Sequence, residues 1–283
     1  MTCVAVAAAT FLLSVSVQAS EGSRWSEGIG FYVGIDSQSV IASGTFAGLA
    51  NPNANRLTLL LDHGNHYHGI GAYSYSGTAQ APVVQSTNAN NRLPELYSRT
   101  DQASSALALK QGDGAMVGKW VSSVLPEGAP AADYSYLGMA SVQSLDGLSS
   151  EADVLFHSSR DRWSADFNGV KVGLKLESAS AGLKVANGNA MDIFGGGSVY
   201  ELGSSKSFTF LPTFYVDQGA AAGVYSAQFS LVNLGTNNNV RQGGSYYIDF
   251  AVPTAPVPEP QTWALLGAGL LAIGMLQRRR KSA

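Results

Sequence analysis

Three of the four histidines in this 283-residue chain stand at positions 63, 66 and 68. They fall within the run Asp62, His63, Gly64, Asn65, His66, Tyr67, His68. Imidazole is the commonest side-chain metal ligand, and a zinc ion takes N and O donors at about 2.0–2.2 Å. The grouping therefore points to a metal centre, with zinc the expected ion and another divalent transition metal the alternative, since nitrogen sites by themselves favour Cu²⁺. Asp62 is either a ligand or an acceptor that fixes an imidazole tautomer, which metal sites commonly need. Glu95, in Leu93, Pro94, Glu95, offers an oxygen ligand, although its surroundings read as an exposed loop carboxylate. His157, the fourth histidine, lies beside Phe156 and reads as a structural residue, with completion of the metal site as its alternative.

The elements that must position these rings are legible around them. Residues 56–61 form a short apolar run, and residues 66–75 are rich in aromatics, with Tyr67, Tyr73 and Tyr75 sharing one parity. Gly64 and Asn65 between the two runs are residue types that tolerate left-handed backbone angles, so a hairpin is expected to turn there. Alternation along a strand puts His66 and His68 on one face, roughly 6.5–7 Å apart, and the turn brings His63 towards them. The three tyrosines are expected to form one face of that strand, as core rather than as a carbohydrate platform.

Further strands are expected over residues 30–35, 40–46, 134–142, 170–176, 198–202, 207–211, 224–232 and 246–252, each alternating or β-branched and aromatic between Gly, Asn, Asp or Pro breaks. Two short helices are expected, over residues 101–110 and 150–156. The fold class is all-β: an antiparallel β-sandwich, jelly-roll or Ig-like, built over residues 20–252 as one large or two small sandwiches with little helix. Only 13% of residues are charged and 32 are glycine, which suits short strands joined by turns. Gly195, Gly196 and Gly197 lack the Lys-Ser/Thr of a phosphate loop and read as a turn.

Residues 1–19 read as a signal peptide: an apolar run over residues 4–17 ends in Val17, Gln18, Ala19, a small-x-small pattern. No Lys or Arg precedes the run, which fits a true start further upstream. Cys3 is the single cysteine and leaves with this segment, so neither disulfides nor thiolate ligands are expected. At the other end, residues 253–283 read as a linker and tail. Pro258, Glu259 and Pro260 precede a short apolar run over residues 264–276, which stops at Arg278, Arg279, Arg280 and Lys281. The run is shorter than a comfortable membrane span, which needs about 20 residues, and reads as a short C-terminal transmembrane anchor used transiently. With 17 basic and 20 acidic residues the net charge is −3. Loss of the basic tail makes the chain more acidic, which disfavours nucleic-acid binding.

Pro-Glu-Pro, a glycine-interrupted apolar stretch and an arginine cluster resemble the PEP-CTERM sorting signal of Gram-negative bacteria. That resemblance implies transient anchoring in the inner membrane and processing by an exosortase. It places the product in the periplasm, at the outer surface or in extracellular polymer. Residues 47–53, 61–75 and 88–95, together with 172–176, 192–197 and 210–217, resemble a cyanobacterial PEP-CTERM family repressed by the zinc-uptake regulator. By that resemblance the product captures or handles zinc outside the cell, with His63, His66 and His68 in that role and an extracellular polymer or a zinc-uptake component as partner. Two other readings stand beside it. A structural or adhesive matrix protein needs only the sorting signal and the composition. A zinc hydrolase needs an open coordination position and a base such as Asp62 or Glu95, but no catalytic motif accompanies the histidines and no enzyme is expected.

Overall fold

The computed structural model describes residues 24–95, 106–122, 136–204 and 208–254. In chain order the elements are β1 (Ile29–Ile35), β2 (Leu57–Asp62), β3 (Tyr67–Ile70), β4 (Ser74–Thr78), β5 (Ala81–Gln85), β6 (Arg92–Leu93), β7 (Leu107–Ala108), β8 (Lys110–Gln111), β9 (Lys119–Val121), β10 (Gly138–Ser141), α1 (Ser150–Phe156), β11 (Lys171–Ala179), β12 (Lys184–Asn187), β13 (Val199–Ser204), β14 (Thr209–Phe210), β15 (Pro212–Asp217), β16 (Gly223–Asn233) and β17 (Ser245–Val252). Among the described residues strands account for 45% and helices for 10%, which places the chain in the all-β class. The first sheet runs β14-β10-β1-β2-β3 and the second β13-β11-β16-β17-β6, with β7 also on β17; a third runs β12-β15-β9-β8, and β4 and β5 pair alone. The arrangement is sandwich-like and no sheet closes into a barrel.

The sheets are not wholly antiparallel. β1 pairs with β10 in parallel, and so does β17 with both β6 and β7. The residues between β1 and β10 include β2 to β9, the long crossover that a parallel pair requires and a tight hairpin cannot supply. β1 is buried along its whole length, as a central strand covered on both faces must be, so its apolar run replaces alternation. The cover is close: a Cβ on Gly34 would come within 3.3 Å of Trp163 Cβ and 2.9 Å of Leu60 Cδ1, so these side chains would have to yield to it. Helix α1 starts where the Ser149 hydroxyl accepts from the Ala152 N–H, and it buries Ala152, Leu155 and Phe156. A capped first turn with Glu151 and Asp153 against the positive end of the helix explains why so short a helix forms at the expected place. Phe214 of β15 stacks on Phe250 of β17 at 4.6 Å and meets Phe229 of β16 edge-on at 6.0 Å, tying the third sheet to the second within one shared core.

Three local expectations are corrected. Residues 40–46 form turns rather than a strand, with a single bridge between Val40 and Ala50; Gly44 and Gly48 take φ of +85° and +86°, angles that reverse the chain instead of extending it. Of the helix expected over 101–110, the first half lies outside the described residues, and Leu107–Ala108 and Lys110–Gln111 are strands. Pairing on β17 and burial of Leu109 in the core override the local helical preference. Tyr67, Tyr73 and Tyr75 do not share one strand face. The chain turns at Gly71, φ +64°, where a Cβ would lie 2.5 Å from the Ser245 carbonyl oxygen. β3 therefore stops at Ile70, with Tyr67 buried and Tyr73 and Tyr75 half-exposed. Gly195, Gly196 and Gly197 do lie at a turn, the Gly195 and Gly197 N–H groups donating to Asp192 and Phe194 carbonyls. No helix among the described residues is long and apolar enough to cross a membrane. The signal segment, Pro258, Glu259, Pro260, the apolar run and the arginine cluster lie outside the described residues.

Candidate metal centre

β2 and β3 form the expected hairpin at the open edge of the first sheet, pairing Leu61 with His68 and Asp62 with Tyr67. The His63 N–H donates to the His66 carbonyl at 3.0 Å, so the reversal is tight. Gly64 takes φ +85°, and its N–H is held 2.6 Å from Asp62 Oδ1. Asn65 does not adopt a left-handed angle; its side chain instead meets the His66 ring, Oδ1 lying 2.6 Å from Nδ1. Asp62 is 3% exposed. It serves the turn through one oxygen and lies close enough to the Tyr32 phenol for its charge to matter. Burial first, and then that carboxylate, push the Tyr32 hydroxyl above the ordinary phenol range. Burial also raises Tyr67, whose ring meets Tyr32 edge-on at 5.9 Å. Both rings are buried where the hairpin strand β3 and the central strand β1 share the core.

The main surprise is Glu95. Its side chain is only 1% exposed, contrary to the exposed loop carboxylate that Leu-Pro-Glu suggests. The preceding strand β6 joins β17 at the edge of the second sheet, and that pairing delivers the carboxylate against the hairpin of the first. Oε1 lies 3.0 Å from His68 Nδ1, and Oε2 lies 3.4 Å from His63 Nε2. Asn90 Nδ2 donates to Oε1 at 2.5 Å. Burial alone would raise this carboxyl. Hydrogen bonds from His63, Asn90 and His68 outweigh it and hold Glu95 down at about 2, so the group is a carboxylate throughout the physiological range.

The rings are stacked closely, with His63 and His68 centroids 4.0 Å apart and His63 and His66 5.4 Å apart. One donor atom each from His63, His68 and Glu95 lies within 4.8 Å of the others. His66 approaches the other nitrogen of His68, Nε2 to Nε2 at 3.3 Å, so the three expected rings gather at the hairpin, and Glu95, the expected alternative oxygen donor, joins His63 and His68. Two donors on a tetrahedral zinc with bonds near 2.05 Å stand about 3.3 Å apart. The His63–Glu95 and His68–Glu95 separations are close to that edge length. Of the sequence candidates, His63, His66, His68 and Glu95 come together, and Asp62 supports the turn beside them. His157 is elsewhere, with half its side chain exposed, between Asp153 and Asp161 on its own helical segment. Sequence reasoning passed over Asn90, although it stands five residues before Glu95 and a paired amide and acid in one loop is a readable signal.

Residues 256–281 match the model of the PEP-CTERM protein-sorting motif. No curated protein and no solved structure matched the chain, so the likeness to a zinc-regulated family rests on the segments quoted above. The sorting motif marks the chain as an exported, exosortase-processed protein of the cell surface.

Proposed function

We propose that the protein binds a zinc ion at the cell exterior through His63 Nε2, His68 Nδ1 and a Glu95 oxygen, and captures or holds zinc there. The observation that carries this reading is the buried carboxylate: Glu95 is brought from the second sheet to face two imidazoles of the first at 3.0 and 3.4 Å. A carboxylate held ionised out of water needs positive or donor partners, and a divalent cation satisfies it with the two nitrogens.

The tautomers support the same donor set. With His66 Nδ1–H donating to Asn65 Oδ1, His66 Nε2 carries a lone pair. If His68 Nδ1–H donates to Glu95, its own Nε2 also presents a lone pair, and the two face each other at 3.3 Å. An ion on His68 Nδ1 moves that proton to Nε2, which then donates to His66. Ligating histidines commonly place their second N–H on such an acceptor. His66 is thus a positioning residue and not a ligand. The fourth position is left to water, the pattern of an accessible site.

Calorimetric titration of the mature protein with Zn²⁺, purified without a histidine tag, tests the reading. Wild type should bind one ion, and the His63→Ala, His68→Ala double variant should lose it. Binding weakens as the pH falls below neutrality, because protons compete for the imidazole lone pairs. At a hundredfold excess over Kd the ion should stabilise the fold by about 2.7 kcal/mol. Equal binding by both proteins, or no binding below about 1 mM, refutes the site and leaves a structural matrix protein.

A further inference from the structure

A second group of side chains, none of them in the histidine site, lines a groove of about 410 Å³ between residues 41–53 and the start of β4. Ligand clefts run from about 300 to 1,000 Å³ and combine aromatic walls with a few fixed polar groups. This groove has both. Phe46 and Tyr75 stand 5.3 Å apart with planes inclined at 39°, and the Tyr75 hydroxyl donates to the Ala50 carbonyl at 3.0 Å. Tyr73 is gripped from both sides by Asn53, whose Nδ2 donates to its carbonyl and whose Oδ1 accepts from its N–H, each at 2.7 Å. Asn51 in turn anchors the loop, donating to Asp36 Oδ2 at 2.9 Å and accepting from the Asn53 N–H at 3.0 Å. A segment without regular structure is thereby fixed before any ligand arrives, which removes much of the ordering cost of binding.

The chemistry of the walls narrows the occupant. Arg162 lines the groove and donates through Nη2 to the fully buried Asp36, so the pair cancels and no net charge is offered to a ligand. The guanidinium also lies over the Trp163 ring at 4.5 Å, which holds it in place. Two inclined, half-exposed aromatic rings suit a ligand that is itself neutral and has an apolar C–H face. We infer that the groove binds a neutral saccharide, with a pyranose ring on Phe46 and Tyr75.

Calorimetric titration with cellobiose and methyl β-D-glucopyranoside, with glucuronate and adenosine as charged and flat aromatic comparisons, tests this site. Cellobiose should bind saturably in the millimolar range, and Phe46→Ala should weaken it roughly tenfold. Thr45→Trp, at an exposed position on the groove wall, should abolish binding without touching the core, and the His63→Ala, His68→Ala variant should bind as wild type does. The proposal is overturned by absence of saturation up to about 50 mM, by equal binding in the Phe46 and Thr45 variants, or by preference for glucuronate or adenosine.

Discussion

Two clusters in this molecule are made from the same chemical groups, and they differ in almost everything else. At the hairpin, His63 and His68 meet a carboxylate that is 1% exposed and arrives from another sheet. On the helical segment, His157 lies between Asp153 and Asp161, each four residues away, and all three side chains are at least half exposed. Local spacing suffices to build the second cluster, and water competes for every charge in it. The first exists only because two sheet edges come together, so its donors are pre-positioned and its charge is shielded from solvent. Histidine and carboxylate together therefore say little about metal binding; origin in separate elements, and burial, say much more.

The largest contrast is expected on removing one carboxylate from each cluster. Glu95→Gln keeps the shape and takes away the anionic oxygen, whereas Asp161→Asn does the same at the exposed site. An outer partner of a metal site costs 10–100-fold in affinity, and a lost ligand costs more; zinc affinity should fall more than about a thousandfold, or ~4 kcal/mol, in Glu95→Gln. Asp161→Asn should leave it unchanged. Calorimetry decides between them, and comparable losses in both would erase the distinction drawn here.

Acid should expose the same difference without metal. Glu95 is held at about 2 against an ordinary 4.5, so its ionised form is favoured in the folded state. The stability this confers is complete above about pH 4.5 and disappears as the pH falls through about 2, a total of roughly 3 kcal/mol. Urea unfolding of wild type and Glu95→Gln at about pH 5 and pH 3 should give a gap that narrows on acidification. A gap independent of pH means that the carboxylate is not held by the two histidines and Asn90.

Much of this was legible in the sequence, and the losses have physical causes. The hairpin followed from an apolar run, Gly64 and the aromatic segment, because strand pairing across a tight turn is local. The strand readings at β1, β11, β16 and β17 likewise rested on short-range patterns. Leu-Pro-Glu resembles an exposed loop, and the burial of Glu95 depends on β6 finding β17 across residues far apart in the chain. Alternation puts His66 on the face of His68, and the two rings do meet. The strand itself starts only at Tyr67, so the turn as well as the strand sets where the His66 ring lies. The failed strand over residues 40–46 shows the converse: β-branched residues were present, but Gly44 and Gly48 turned the chain.

A smaller effect separates ligand from positioning residue within the hairpin. His66→Ala should cost zinc affinity about 10–100-fold, the range for an outer partner, while His63→Ala should cost more. His66→Gln, whose amide oxygen can accept from His68 Nε2–H, should restore part of the loss. A His66→Ala variant as impaired as His63→Ala would make His66 a ligand and return the site to three histidines.

The smallest effect belongs to the exposed cluster. The hydrogen bond to Asp161 raises the His157 imidazole above the ordinary histidine range, with burial opposing it and the Asp153 charge adding to it. A raised value means that the protonated ring is the favoured partner: the interaction is complete at low pH and is lost as the pH rises past the raised midpoint. NMR titration of the ring should show that midpoint falling in Asp161→Asn, while thermal stability and zinc affinity stay within error, because the group lies in water where ion pairs contribute little. Neighbouring Ser159, Arg160 and Asp161 all take φ near +60°, at 59°, 60° and 58°, angles that side chains other than glycine adopt at some cost. If the His157–Asp161 contact were what held them there, Asp161→Asn would also shift amide exchange across residues 158–161. An unchanged exchange pattern together with a lowered midpoint assigns the pair to surface electrostatics alone, and it completes the contrast with Glu95, where the same kind of substitution should change both folding and binding.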